Sequence, residues 1–152
     1  MTPSQQLAVA ISLASFSFVK INDKAGRPYI LHCLSVMDGV KQYNDDELSA
    51  AAVLHDIIED ASITYQNLRD IGFSARVIDL VSFLTREKDE PYDHYIDLIS
   101  RHPDAIKIKL ADFAHNMQIQ RMTCLIDSDC KRIAKYHAAY HKLYNILHKD
   151  QS

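Results

Sequence analysis

A few short stretches of this chain carry side chains that could act together on a substrate. His55, Asp56, Glu59 and Asp60 follow the apolar run Ala51-Ala52-Val53-Leu54. On one continuous helix, a spacing of three or four residues places His55 and Asp56 on the same face as Glu59. Burying carboxylates beside an imidazole is costly unless a cation neutralises them. A divalent metal would do so. A solvated acidic helix end would account for Glu59 and Asp60, but not for His55 and Asp56 after four apolar residues.

His32 lies between Leu31 and Cys33, which suits either a core histidine or a further ligand. Asp112 stands in the run Ile108 to Ala114 and needs a partner there. Lys109, three residues earlier, could be that partner; so could a shared cation. Two imidazoles and two carboxylates, from His32, His55, Asp56 and Asp112, make a mixed nitrogen and oxygen set. Such a set leaves positions open for water and substrate. It suits Mn²⁺ or Fe²⁺ better than a closed zinc site built on cysteines, although Zn²⁺ remains compatible.

The elements that must carry these residues read as helices. Thr2-Pro3 gives a capping hydroxyl and a proline at the first helical position. Leu7, Ile11, Ala14 and Phe18 then recur at helical spacing. Lys20 to Arg27 reads as a loop, and Pro28 opens a second helix through Val40. Asn44 or Asp45 caps a third, which runs through Ile58 and carries His55 and Asp56 near its apolar side. Thr64 and Ser74 cap two more, and Pro91 starts the next. The pattern predicts a helix from Ile106 to about Met122 and a long one from Asp127 to His148. Ala105 to Leu110 also alternates as a short strand would. Scarce Gly (3) and Pro (4) argue against a many-turned β-fold. The length suits one domain over residues 1–152, with an all-α architecture.

A net charge of −3, with no basic run, argues against nucleic acid as a partner. No apolar run reaches the roughly 18 residues of a membrane span, and no targeting segment is visible. Three cysteines without a CxxC pair, Cys33, Cys124 and Cys130, read as free thiols and small buried hydrophobes, consistent with a cytoplasmic protein.

The order His, His-Asp, Asp resembles the signature of the HD phosphohydrolase superfamily. The details resemble the hydrolase domain of RelA/SpoT-type alarmone enzymes and their small stand-alone relatives. Gly26-Arg27-Pro28-Tyr29-Ile30-Leu31-His32 is similar to that family's G-x-P-Y-I-x-H. Ala52 to Asp60 is similar to A-x-L-H-D-x-x-E-D, and Leu84-Thr85-Arg86 to L-T-K. Ile108 to Met117 is similar to the stretch containing K-L-A-D-R-x-H-N-M. The resemblance runs from about Ala14 to Tyr140.

It implies a single-domain helical bundle around a metal, commonly Mn²⁺, and removal of pyrophosphate from the 3′ position of guanosine tetra- or pentaphosphate. His32, His55, Asp56 and Asp112 would be the ligands. Glu59 and Asp60 would handle the water and its proton. Asn116 would contact the substrate near its ribose or 3′ phosphate. Lys24, Arg86, Lys88 and Lys109 are basic residues near the motifs and could screen phosphates. A small nucleotide is the expected partner, and a homo-oligomer is compatible with the sequence. Three positions depart from the family: Phe18 stands where it has His, Asp23 where an Arg packs on the base, and Phe113 where it has Arg. They leave room for a nucleotidase acting on another nucleotide. A nucleotide-binding protein that holds metal without turnover is a third reading, against which the retained Glu59-Asp60 pair argues.

Overall fold

The computed structural model describes residues 1–149. Its helices are α1 (Pro3–Ser17), α2 (Ile30–Gly39), α3 (Asp46–Val53), α4 (Ile57–Asp60), α5 (Tyr65–Ile71), α6 (Ala75–Leu84), α7 (Tyr92–Ile99), α8 (Pro103–Asn116) and α9 (Asp127–His148). Short 3₁₀ turns lie at Lys41–Tyr43 and Ile119–Arg121. Among the described residues there is no strand, only an isolated bridge between Asn22 and Pro28. Ala105 to Leu110 therefore lies in a helix. Ala105, Ile106 and Ile108 are buried there, on the face that helical periodicity groups.

Capping chemistry starts several of these elements. Thr2 and Gln5 form a reciprocal capping box at α1, with Pro3 in its first turn. Asp45 accepts the Leu48 N–H at the start of α3, and Ser74 accepts the Val77 N–H at α6.

Every residue from Leu48 to Val53 is buried, so α3 is the axis of the bundle, packed by α1, α2, α6 and α8. Small side chains at Ala50, Ala51 and Ala52 let the surrounding helices approach. The matching stripe on α1 is Gln6, Ala10 and Ala14, continued by Phe18; Leu7 and Ile11 are only half-buried. Gln6 tolerates burial because it is bonded at both ends. It donates to Glu47 at 3.0 Å and accepts the Ser74 N–H at 2.7 Å, fastening α1 to α3 and α6. Gly39 lets α2 come close to α8: a Cβ there would lie 2.7 Å from the Ala111 Cβ.

Two predicted helices end early. The third stops at Val53, and Leu54 to Asp56 form a turn before the single turn of α4. The His55 ring explains the break: its Nδ1 lies 2.8 Å from the Ala52 carbonyl, which a continuing helix would have kept for the Asp56 N–H. The helix expected to reach Met122 ends at Asn116, where the His115 carbonyl accepts the Gln118 N–H at 3.2 Å and the Arg121 guanidinium at 3.1 Å. Cys33 is buried as expected, but Cys124 and Cys130 are exposed, on the α8–α9 connection and the first turn of α9. No described helix is long and apolar enough to cross a membrane.

Candidate metal centre

The fold brings together His32 from α2, His55 and Asp56 from the turn after α3, and Asp112 from α8. His32 Nε2 lies 3.2 Å from His55 Nε2, 3.2 Å from Asp112 Oδ1 and 3.7 Å from Asp56 Oδ2. His55 Nε2 lies 2.8 Å from Asp56 Oδ2 and 3.7 Å from Asp112 Oδ1. The donor atoms of His32, His55 and Asp56 all fall within 4.8 Å of one another. His32, His55 and Asp112 are each under 5% exposed, at 3%, 2% and 4%.

Such a concentration of carboxylate and imidazole calls for positive charge. Burial alone would lower the His55 pKa, yet Asp56 and Asp112 outweigh it and raise the imidazole to about 10. Burial works to raise Asp112, but Lys109 and the two imidazoles hold it well below the usual carboxylate range. The donor set therefore fits a divalent cation, which would supply that charge in place of a proton.

The immediate surroundings are already hydrogen-bonded. The Tyr29 hydroxyl donates to Asp56. Asp112 accepts from Asn116 at 2.6 Å and from Lys109 at 2.7 Å. Lys109 and Asn116, both expected near substrate, line the cleft and each also donates to Asp112. The ion pair considered from the sequence and the four-residue cluster coexist.

The cluster opens into a cleft of about 380 Å³ that also exposes Glu59, Asp60, Lys24 and Arg86. Because α3 and α4 are separate, Glu59 does not lie on a continuous helix with His55. It still reaches the cleft, and its carboxylate accepts the Arg86 backbone N–H. Burial, with Asp56 and Asp60 nearby, raises its pKa above the ordinary glutamate value. Asp60 is raised chiefly by burial and then by Asp56. The Arg86 guanidinium donates to the Glu90 carbonyl at 2.9 and 2.6 Å. Lys88 is not among the residues that line the cleft.

Several lining residues escaped the sequence reading. Arg132, Lys135 and Tyr136 come from α9, whose i, i+3, i+4 spacing on one face was the available signal. Tyr92 stands between two cations, with Lys135 Nζ 4.4 Å and the Arg86 guanidinium carbon 5.7 Å from its ring centre. Among the described residues, the Tyr92 hydroxyl oxygen is the buried side-chain atom left without a hydrogen-bond partner.

Of the three departures, Phe18 and Phe113 are core residues, each 1% exposed. They stand behind the cleft wall, against Tyr29 and Tyr136 at 5.2 and 5.3 Å between ring centres. Asp23 alone of the three lines the cleft. It accepts the Ala25 and Arg27 N–H groups, each at 2.9 Å, and pairs with Arg121. Arg121 in turn contacts His115, whose Nδ1 lies 2.7 Å from His32 Nδ1.

No protein-family model matches the chain. It is 36% identical over 122 residues to a guanosine-3′,5′-bis(diphosphate) 3′-pyrophosphohydrolase of Haemophilus influenzae, an alignment spanning 73% of this chain and 18% of the relative. The enzyme of that name from Aquifex aeolicus is 33% identical over 121 residues, spanning 74% of this chain and 17% of its own. The bifunctional (p)ppGpp synthase/hydrolase SpoT of Escherichia coli is 32% identical over 106 residues, 62% of this chain and 15% of its own. The chain thus spans under a fifth of the curated relatives it matches. Among solved structures, one described as a metazoan ortholog of SpoT that hydrolyzes ppGpp superposes with a TM-score of 0.74. It is 22% identical, over 97% of this chain and 88% of that one.

Proposed function

We propose that this chain, which resembles the RelA/SpoT-type (p)ppGpp hydrolases in sequence and in fold, is a metal-dependent phosphohydrolase that removes pyrophosphate from the 3′ position of guanosine tetraphosphate. The observation that carries the reading is the convergence of His32, His55, Asp56 and Asp112 at the floor of a polar cleft. These four would hold the cation, for which we propose Mn²⁺, with Fe²⁺ and Zn²⁺ as alternatives. When bound, a divalent cation lowers the pKa of water and polarises a phosphoryl oxygen.

The chain's own residues supply the rest. Water adds to the phosphorus next to the 3′ oxygen, the bond between them breaks, and the 3′ oxygen leaves with a proton. Glu59, which lines the same cleft, would take the proton from that water. Its raised pKa brings it towards neutrality, where a general base works best. Asp60, also raised, is the second carboxylate of the cleft that could serve the same proton. Tyr92 offers a hydroxyl with no internal partner, and Lys24, Arg86, Arg132 and Lys135 surround the cleft with positive charge for phosphates.

A second reading, hydrolysis of a different nucleotide, is favoured by Asp23. Its carboxylate occupies the cleft where the family has a base-stacking Arg, and both terminal nitrogens of Arg121 are already engaged. The test is incubation of the Mn²⁺-loaded protein with a nucleotide panel that includes guanosine tetraphosphate, with products identified by ion-exchange chromatography. Release of pyrophosphate from guanosine tetraphosphate alone supports the first reading. Faster turnover of another nucleotide selects the second, and no turnover of any member refutes both.

A further inference from the structure

We propose that His137 and His141 on α9 form a second metal site, outside the cleft, that takes up Ni²⁺, Cu²⁺ or Zn²⁺ in preference to Mn²⁺ or Mg²⁺. Both residues are exposed, and neither lines the cleft.

Residues four apart on a helix are neighbours on one face. Here the two side chains meet: His141 Nε2 lies 3.1 Å from His137 Nε2. The ring centres are 4.4 Å apart and the planes cross at 61°. The two nitrogens are closer than the rings that carry them, so the Nε2 edges converge. Without an ion, one ring N–H can donate to the other ring, a solvent-exposed bond of little net worth. A cation would use both lone pairs instead. Bonds of about 2.0–2.1 Å, the zinc–imidazole length, to two nitrogens at this spacing enclose roughly 95–102°. That angle falls between the octahedral and tetrahedral values, so the spacing suits either geometry.

The donor set selects the ion. Among the described residues, no third His, Cys, Asp or Glu joins the pair closely enough to complete a group of three. Imidazole nitrogen without carboxylate oxygen suits nickel, copper and zinc, whereas manganese and magnesium prefer oxygen. The cluster in the cleft mixes both donor types, so the two sites differ in preference. Water would fill the remaining positions on the ion at the pair. The site is therefore open, and its ion is drawn from solution rather than carried through purification. Two features favour binding there. Lys142, the cation next in sequence to His141, is paired with Asp97. Ala139 and Leu143 are buried against the bundle and hold this part of α9 as a helix, so little ordering is left for the ion to impose.

The test is a Ni²⁺ titration of the full chain near neutral pH, followed by amide ¹H–¹⁵N spectra. Paramagnetic Ni²⁺ broadens the signals around wherever it binds. Broadening is expected around residues 137–141, in addition to any around the cluster. His137→Ala and His141→Ala should each abolish the α9 effect as completely as the double variant, because one imidazole is no chelate. Both positions are exposed and Ala is a strong helix former, so the fold is kept. His55→Ala should leave the α9 effect intact, which tells a failure of the cluster assignment from a failure of this one. His148, an exposed imidazole further along α9, is the internal control and should show no comparable centre at the same Ni²⁺ concentration. Wild type without broadening at 137–141 would overturn the proposal. So would single variants that each retain about half of it, as two independent rings would, or a centre at His148 as strong as that at the pair.

Discussion

Replacing Glu59 by Gln separates proton transfer from structure, because the contact that holds this side chain needs only an acceptor. Glu59 takes the Arg86 backbone N–H, and a Gln carbonyl oxygen can take it equally. Exchanging a charged acceptor for a neutral one costs about 1 kcal/mol. Relief of desolvation and of repulsion from Asp56 and Asp60 offsets part of that, since these are what raise the Glu59 pKa. Stability should therefore change by about 1 kcal/mol or less, a few degrees in Tm. Turnover should fall about 10²–10⁴-fold, the usual worth of a general base, or roughly 3–5 kcal/mol in the barrier. The loss should appear in kcat more than in KM. The pH profile gives an independent readout. A base works only when deprotonated, so wild-type activity should fall as pH drops through the raised Glu59 pKa, above the ordinary value of about 4.3. That acid limb should be missing in the variant. The assay is steady-state kinetics across pH, with metal content and Tm measured on the same preparation. A metal-replete Glu59→Gln protein retaining more than about half the wild-type kcat would refute the role, and Asp60 would be tested next.

The purified protein should bind about one divalent cation per chain, and His55→Ala should lose it; elemental analysis showing full occupancy in that variant would refute the assignment. Chelation should lower Tm by roughly 5–10 °C where the metal had been present at about 100 times its Kd, read by differential scanning fluorimetry, and no shift would argue against a cation in the core. Arg76 bridges Asp45, Glu47 and Asp104, and its hydrogen bond outweighs burial to lower the Asp45 pKa. The stability from that pairing is complete above the ordinary carboxylate pKa of about 4 and is lost as pH falls through the lowered folded value. Arg76→Met should thus lower Tm at pH 7 and lower it less near pH 2, by thermal melts at both pH values; an equal loss at both would point to packing alone.

The candidate site was legible where residue type clashed with context. An imidazole and a carboxylate directly after Ala51 to Leu54, and an aspartate inside Ile108 to Ala114, are costly enough to need a reason, and the structure brings these residues together. The helix break at Leu54 to Asp56 was not legible, because it arises when the His55 ring takes a backbone carbonyl, a choice between two geometries that helical periodicity treats alike. Asp23 was visible as an unusual residue, but its partner Arg121 lies 98 residues away in a 3₁₀ turn. No local pattern pairs them. The α9 contribution was missed because Arg132 and Lys135 on an amphipathic helix read as solvated charge until α9 packs beside α8. The all-α class was clear from periodicity, and Ala105 to Leu110 misled only in part, since a run of six residues cannot separate alternation from a helical face.

The approach of α2 to α8 at Gly39 gives this protein a calibrated spacer. His32 and Asp112 hang from the two helices that Gly39 and Ala111 bring into contact, so a change in the width of the seam would bear on the spacing of both residues. A methyl group added at Gly39 would meet the Ala111 Cβ at 2.7 Å and force the seam to open by some tenths of an ångström. Ions differ in preferred bond length by about the same amount: about 2.0–2.2 Å for zinc to carboxylate oxygen against 2.3–2.6 Å for calcium. A position with no side chain and no place in the cleft would thereby influence which ion the two residues could share. Changes along this seam are a route by which relatives of one fold could come to prefer different metals without altering a single ligand.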